Sequence, residues 1–564
     1  MLNKLAWKFW RDFLWQRRLI YFIGALTVLV TNFMQVIVTR SLGWVLDFFT
    51  GKPVVLLPGF WEREETFLSL FLIFFIGRIL LTMGRFGWRV TLARQTHVAA
   101  AHMRRLLWRH ARYFPKVAID RIYTKGHMIN VASSDVGQGQ LLFGFTLVAV
   151  VDLFCLGLLT LGAMVMINPS LAFFSVCSLF FIPFVVRRLS HLEGAQYHIT
   201  QNILSRLDDL AAQMIASVRL QRLTRTGGYW ARYVLGVGED YRRERLKTLG
   251  FSLSYIPAMG TATLLSYAVL FIVGTYYVIL GRVSVGDFIA MQGLVALIQD
   301  PFMEMGFIIS EWKRGISSLE RMIEVYEAPK EKYLLDENLS GPIQPALASG
   351  APIFTVENLT FKYGEGLEPV FSNLNFELKE QGRLGLIGPI ATGKTTLINI
   401  LMGLERNFQG KVLFRGRSFD QYGHPELRRH IGYVSQRPFL FASTIRENLK
   451  LDRDMSDEEI WHYLKMAELL EDVRKFPHGL DTSLGEWGIN LSGGQKQRLT
   501  LARALARTPS VLLFDDCLSA VDTVTEEKIL KNIDREMKEV TLVWAAHRAS
   551  TLKYCDRILE MGLP

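Results

Sequence analysis

The sequence predicts an α-helical six-span transmembrane domain with long cytoplasmic helical extensions, followed by an α/β domain built on a P-loop. Three observations carry this. Half of the 564 residues are apolar and 37 are phenylalanine, a membrane composition in a chain too long for one domain. The long apolar runs all lie in the first 309 residues. In the second half, Gly388-Pro389-Ile390-Ala391-Thr392-Gly393-Lys394-Thr395 fits G-x-x-x-x-G-K-[ST] between the strand-like run 383–387 and the helical run 396–401.

Taken in order, the chain begins with Trp7, Phe9, Trp10, Phe13 and Trp15 interleaved with Lys4, Lys8, Arg11, Arg17 and Arg18. That mixture suits a helix lying in the membrane interface rather than a cleavable signal peptide, since no small-residue cleavage site follows. Spans long enough to cross about 30 Å of hydrocarbon fall at 19–47, 67–88, 142–167, 171–186, 255–280 and 288–309. The segments after the second and fourth spans are long and rich in arginine, whereas 168–170 and 281–286 are short. Excess Lys and Arg mark cytoplasmic segments, so both termini and both long segments are expected in the cytoplasm. Their apolar residues recur at helical spacing, which predicts helices that run on past the bilayer as rods. The net charge of +11 is explained by this topology, not by a nucleic-acid partner. Four cysteines without metal spacing fit a reducing compartment.

Arg40, Arg78, Arg85, Asp152, Gln299, Asp300 and Glu304 fall inside the spans. Intramembrane charge is expensive, and these residues fit either a polar pathway or ion pairs and snorkelling side chains. Pro183, Pro257 and Pro301 are candidate kinks. The domain boundaries expected are 1–328 for the membrane domain, 329–352 for a Pro/Gly-containing linker and 353–564 for the α/β domain.

Within the α/β domain the glycines of 388–395 let backbone N–H groups approach phosphate, and a helix beginning near Lys394 turns its positive end to the same anion. Lys394 is placed to reach β- and γ-phosphates, and the Thr395 hydroxyl to ligate Mg²⁺, with Thr396 next along the helix. Tyr363, after a strand, is suited to stacking on adenine. Gln436, closing another strand-like run, is suited to the metal and the attacking water. Asp515 and Asp516 end the apolar run 511–514 and suit Mg²⁺ and its waters. His547 ends a further run, within reach of a γ-phosphate. Leu491-Ser492-Gly493-Gly494-Gln495 forms a second phosphate cradle before a helix expected to start at Lys496. One ATP does not need two cradles, so the second is expected to serve a neighbouring subunit.

Together these residues resemble the ATP-binding cassette (ABC) family, and six spans ahead of one cassette resemble an exporter half-transporter. The resemblance identifies 388–395 as Walker A, Gln436 as the Q-loop, 491–495 as the signature, 511–515 as Walker B, Ser519 to Asp522 as the D-loop and His547 as the switch. Gly485-Glu486-Trp487-Gly488 resembles the exporter segment that touches the coupling loops. It implies ATP and Mg²⁺ as cofactors, with Thr395, Gln436 and Asp515 toward the metal. It also implies head-to-tail pairing of two cassettes and transport of amphipathic drugs or lipids. One residue departs: where hydrolysing members have glutamate after Walker B, this chain has Asp516. The side chain is shorter by one methylene, about 1.5 Å, and a misplacement near 1 Å can cost on the order of 100-fold in rate. An impaired Walker B beside an intact signature resembles one half of a heterodimer. The alternatives are a homodimer with two slow sites and a mainly regulatory ATP-binding subunit.

Overall fold

The apolar runs of the first half form long helices, as expected of segments whose backbone groups must pair internally. The computed structural model describes residues 2–52, 63–115, 118–119, 122–177, 182–331, 334, 352–364, 366–422, 424–485, 488, 490–546 and 548–562. By their contacts these residues form two units, Met1–Pro329 and Lys330–Pro564. Most of the expected linker, together with Glu486, Trp487 and His547, lies outside the described residues.

Among the described residues of the first unit, four helical stretches are long and apolar enough to cross a bilayer: Arg18–Phe49, Thr66–Ala111, Lys125–Ile167 and Gly227–Ile279. The expected fourth span corresponds to the helices Pro169–Cys177 and Ile182–Ala216, and the sixth to the start of the helix Val285–Tyr326. The side chains of Asp300 and Glu304 lie outside the described set. At 53 residues, the helix Gly227–Ile279 runs about 80 Å at 1.5 Å per residue, far more than the roughly 30 Å of hydrocarbon. Pro257 sits inside it without ending it. Arg78 and Arg85 are exposed. The Arg78 guanidinium lies over the Phe74 ring at 5.4 Å, and that of Arg40 over Trp44 at 5.7 Å.

Two close approaches organise this unit. A Cβ on Gly43 would lie 2.4 Å from the Gly286 carbonyl oxygen, and one on Gly286 would lie 2.1 Å from that of Gly43. Only glycine lets Arg18–Phe49 and Val285–Tyr326 approach so closely. The buried Asp47 then accepts hydrogen bonds from Ser284 Oγ (2.8 Å) and Gly286 N (3.1 Å), so its carboxylate caps the last helix, where negative charge is favoured.

The second approach accompanies a break in the expected third span. Its regular helix begins at Phe145 rather than Leu142, because Gln140–Phe143 is a 3₁₀ turn ending at Gly144. A broken helix frees carbonyls that must find donors elsewhere. Those of Leu142 and Phe143 accept from Trp10 Nε1 (3.0 Å) and Tyr21 Oη (2.7 Å). The basic-aromatic helix Leu2–Gln16 is therefore docked along one face, burying Ala6 and Phe13, while Lys4, Lys8 and Trp15 are exposed. Near the far end of the last helix, Arg321 pairs with the buried Asp135 at 2.5 Å.

The second unit contains a four-stranded antiparallel sheet in the order β2-β1-β4-β5 and a five-stranded parallel sheet in the order β6-β7-β8-β3-β9. The strands are β1 (Pro352–Phe361), β2 (Phe371–Lys379), β3 (Arg383–Ile387), β4 (Gln409–Phe414), β5 (Arg417–Ser418), β6 (Ile431–Val434), β7 (Val511–Asp515), β8 (Thr541–Ala545) and β9 (Arg557–Glu560). Every residue of β7 and β8 is buried, which explains their unbroken apolar runs. The expected helix at Lys496 starts three residues earlier, at Gly493. Ser492 is its N-cap, and Gln495 closes a capping box that the glycines obscure in sequence.

The break at Gly144 generates a prediction. A Cβ there would meet Thr96 Oγ1 at 2.0 Å and the Leu92 carbonyl oxygen at 2.8 Å. Gly144→Ala should destabilise the membrane unit by about 1–3 kcal/mol, and Tyr21→Phe by about 1 kcal/mol through its lost hydrogen bond. Thermal melts in detergent would check both; unchanged melting of Gly144→Ala would contradict the close approach.

Candidate nucleotide site

Parallel strands all present their carboxyl ends at one edge, and ligands of open α/β sheets bind there. The strand order brings four such ends side by side. Gln436 follows β6, Asp515 ends β7 with Asp516 next, Ala546 follows β8, and the loop 388–393 follows β3. Strands distant in sequence thereby place the P-loop and both carboxylates around one cavity of about 540 Å³. Its lining includes Tyr363, the stretch from Ile390 to Thr396, Gln436, Asp515 and Asp516.

The loop requires its glycines. Gly393 has φ +88°, and a Cβ would lie 2.5 Å from Val370 Cγ1; at Gly388 a Cβ would lie 2.3 Å from the Met561 carbonyl oxygen. The helix Lys394–Leu401 starts directly after the loop, so its first N–H groups point into the cavity. Lys394 Nζ donates to the carbonyls of Gly388 (2.7 Å) and Pro389 (2.8 Å), which holds the ammonium at the centre of the loop. Burial lowers its pKa, opposed by the charges of Asp516 and Asp515. Ile390 is 89% exposed, so this position can contribute only backbone to a bound phosphate.

Asp515 is 5% exposed and accepts from Thr395 Oγ1 at 3.0 Å and from Tyr433 Oη at 3.4 Å. Burial raises its pKa despite both hydrogen bonds. A buried carboxylate beside a hydroxyl, both on the cavity wall, is a hard-oxygen donor pair that fits Mg²⁺. Gln436 Nε2 donates to Asp516 Oδ2 at 3.2 Å, tying the residue after β6 to the carboxylate after β7. Asp516 itself has φ +47°, unusual for a residue with a Cβ and met at functional turns. Tyr363 donates to or accepts from Thr396 Oγ1 at 2.7 Å, and its half-exposed ring packs edge-on against Phe361.

The stretch from Leu491 to Gln495 is not part of this cavity's lining. Gln495 is engaged locally: its Oε1 accepts from Ser492 N, and its Nε2 donates to Asp472 at 3.0 Å. His547 lies outside the described residues. Sequence reasoning missed Tyr433, Gln497 and Arg548. The first reaches Asp515 only because β6 and β7 are neighbours, with Tyr433 opposite Leu513. The other two hold the loop after Asp516 from elements remote in sequence.

The charge on Asp515 has a measurable consequence. Because its folded-state pKa is raised, the Asp515 carboxyl contributes most favourably to the stability of the apo protein below the unfolded-state pKa, and that contribution is lost as pH rises through the folded-state value. Asp515→Asn should therefore raise the apo melting temperature at neutral pH. The gain should shrink as pH falls below the folded-state pKa of Asp515. Melts without nucleotide or metal at pH 7.5 and pH 5 would test this; an equal gain at both would remove the buried charge as its cause.

With this geometry in view, the relatives are informative. The family model for the ABC transporter transmembrane region matches residues 21–302, half of the chain, and the ABC transporter family model matches 371–519. The multidrug resistance-like ATP-binding protein MdlA of Buchnera aphidicola subsp. Baizongia pistaciae is 25% identical, over 99% of this chain and 93% of its own. The protein of the same name from Escherichia coli is 26% identical, over 100% and 92%. A bacterial Atm1-family ABC exporter solved with ATP bound shares the fold at TM-score 0.72 and 20% identity, over 96% and 93% of the two chains. The chain belongs to the ABC transporter family and joins a helical transmembrane domain to a nucleotide-binding α/β domain.

Proposed function

We propose that this chain is one half of a heterodimeric exporter that drives amphipathic molecules, drugs or lipids, out of the cytoplasm by alternating access. In this reading residues 1–328 span a bacterial inner or plasma membrane six times with both termini cytoplasmic. Residues 329–352 link them to a cassette at 353–564. The MdlA relatives carry a multidrug resistance-like name, and the exposed apolar helices of this chain suit hydrophobic cargo.

The observation that carries the pairing is the separation of two half-sites within one chain. The P-loop cavity ends at Asp516, while Ser492 caps an intact signature helix that does not line that cavity. A second cassette, docked head to tail, would lay its own signature over Lys394, and Ser492 to Gln495 here would complete the partner's site. Bound ATP would be cradled by the backbone from Gly388 to Thr396, with Lys394 on the β- and γ-phosphates and Tyr363 at the base. Thr395, Asp515 and Gln436 would hold Mg²⁺, whose charge offsets that developing on the phosphates. Gln436 and His547 would orient the γ-phosphate and water. With Asp515 engaged by the metal, Asp516 is the carboxylate left in the cavity lining to act as general base, and its shorter reach makes proton removal slow. Closure of the cassettes over ATP and reopening after turnover at the partner's site would then switch the membrane helices.

Steady-state ATPase activity tests this. The chain alone should be nearly inactive and the pair with a second half-transporter active. Asp516→Glu should add turnover at this chain's own site, by up to about 100-fold there. Ordinary transporter rates from the chain alone would instead establish a homodimer in which aspartate suffices.

A further inference from the structure

Gln497 lies on the signature helix, two residues past the motif, and is 4% exposed. A buried amide must use its donors and acceptor, and all of this one's partners surround Asp516. Its Oε1 accepts from Ala520 N at 2.9 Å. Its Nε2 donates to Ser519 Oγ at 3.2 Å and to the Gln436 carbonyl at 3.5 Å. Each of the last two partners holds Asp516 in turn. Ser519 Oγ donates to the Asp516 carbonyl at 3.0 Å, and Gln436 Nε2 donates to the Asp516 carboxylate at 3.2 Å. The opposite side of the same loop is braced by Arg548, which donates to the carbonyls of Val521 (3.1 Å) and Ser519 (3.2 Å) while ion-paired with the buried Glu526.

We infer that Gln497 is a positioning residue that ties the signature helix to the carboxylate of Asp516 through a closed ring of hydrogen bonds. The inference rests on the reading that this helix completes a partner's ATP site. The helix whose first turn meets the partner's nucleotide carries, on its next residues, the side chain that fixes the backbone and carboxylate of Asp516. Tilting that helix by a fraction of an ångström stretches the Gln497–Ser519 and Gln497–Gln436 bonds and moves the base. Binding at one site is thereby reported to the other within a single chain, without a moving domain.

The experiment is a double-variant cycle on steady-state ATPase, with the full chain in whichever assembly is active and in the Asp516→Glu background that makes its own site count. Gln497→Leu removes every bond. Gln497→Glu keeps the acceptor for Ala520 and loses both donors. Ser519→Ala breaks one link without disturbing the packing. Each should lower kcat about tenfold, the worth of a hydrogen bond lost at the reacting centre, with KM for ATP within about twofold. Gln497→Leu/Ser519→Ala should be no slower than the slower single variant. If the two losses multiply, or if kcat per folded molecule is unchanged while melting falls, Gln497 is a packing residue and the inference is overturned. Should Gln497→Leu not fold, Gln497→Glu with Ser519→Ala closes the same cycle. Whether the unvaried chain hydrolyses ATP alone decides the pairing separately, since that measurement does not involve Gln497.

Discussion

The hydrogen bond from Thr395 to the buried Asp515 is the contact on which the cassette's chemistry depends. It joins the first turn of the helix after β3 to the end of β7, and it exists only because β8 is inserted between those strands in a parallel sheet. Burying an ionised carboxylate is costly, and two hydroxyls compensate only in part, so Asp515 keeps a raised pKa. A site under such tension has a standing demand for positive charge. Lys394 meets part of that demand, and a divalent cation fits the remainder.

Beside this pair, Asp516 occupies a left-handed turn and is gripped by Gln436 on its carboxylate and Ser519 on its carbonyl. The grip fixes both the backbone and the carboxylate of Asp516 at the cavity wall. The position of Asp516 therefore depends on Gln436 in the cavity wall and on Ser519 outside it, and the buried Gln497 amide gathers both into one network.

The membrane unit obeys a different constraint, internal satisfaction of the backbone. Where the third span breaks at Gly144, its freed carbonyls take donors from Trp10 and Tyr21, so the amphipathic N-terminal helix is integral to the helix packing and not merely a float at the interface. Where the helices Arg18–Phe49 and Val285–Tyr326 meet at Gly43 and Gly286, Asp47 supplies the cap that the approaching backbone demands. A side chain repairs each of these defects, donating to the freed carbonyls of Leu142 and Phe143 and accepting from the N–H of Gly286.

Much of this was legible in the chain alone. Apolar runs far longer than a soluble core requires, arginine-rich intervening segments and a P-loop between a strand and a helix leave few alternatives, because bilayer thickness and phosphate geometry are fixed from outside the protein. The paired carboxylates of Asp515 and Asp516 at the end of an apolar run are likewise a fact of sequence. Periodicity did not reveal the break at Gly144 or the true start of the signature helix, since glycine weakens helical signals whether it ends a helix or begins one. Strand order was equally hidden: β3, β6, β7 and β8 are each plausible strands, but which lie adjacent depends on long-range packing. The partners of Tyr433, Gln497 and Arg548 follow from that order, so only the tertiary structure decided them. Local chemistry is written in neighbouring residues, whereas the assembly of a site depends on pairings between strands far apart in the chain, as in the parallel register of Leu384 with Val543 on one side of β3 and with Arg557 on the other.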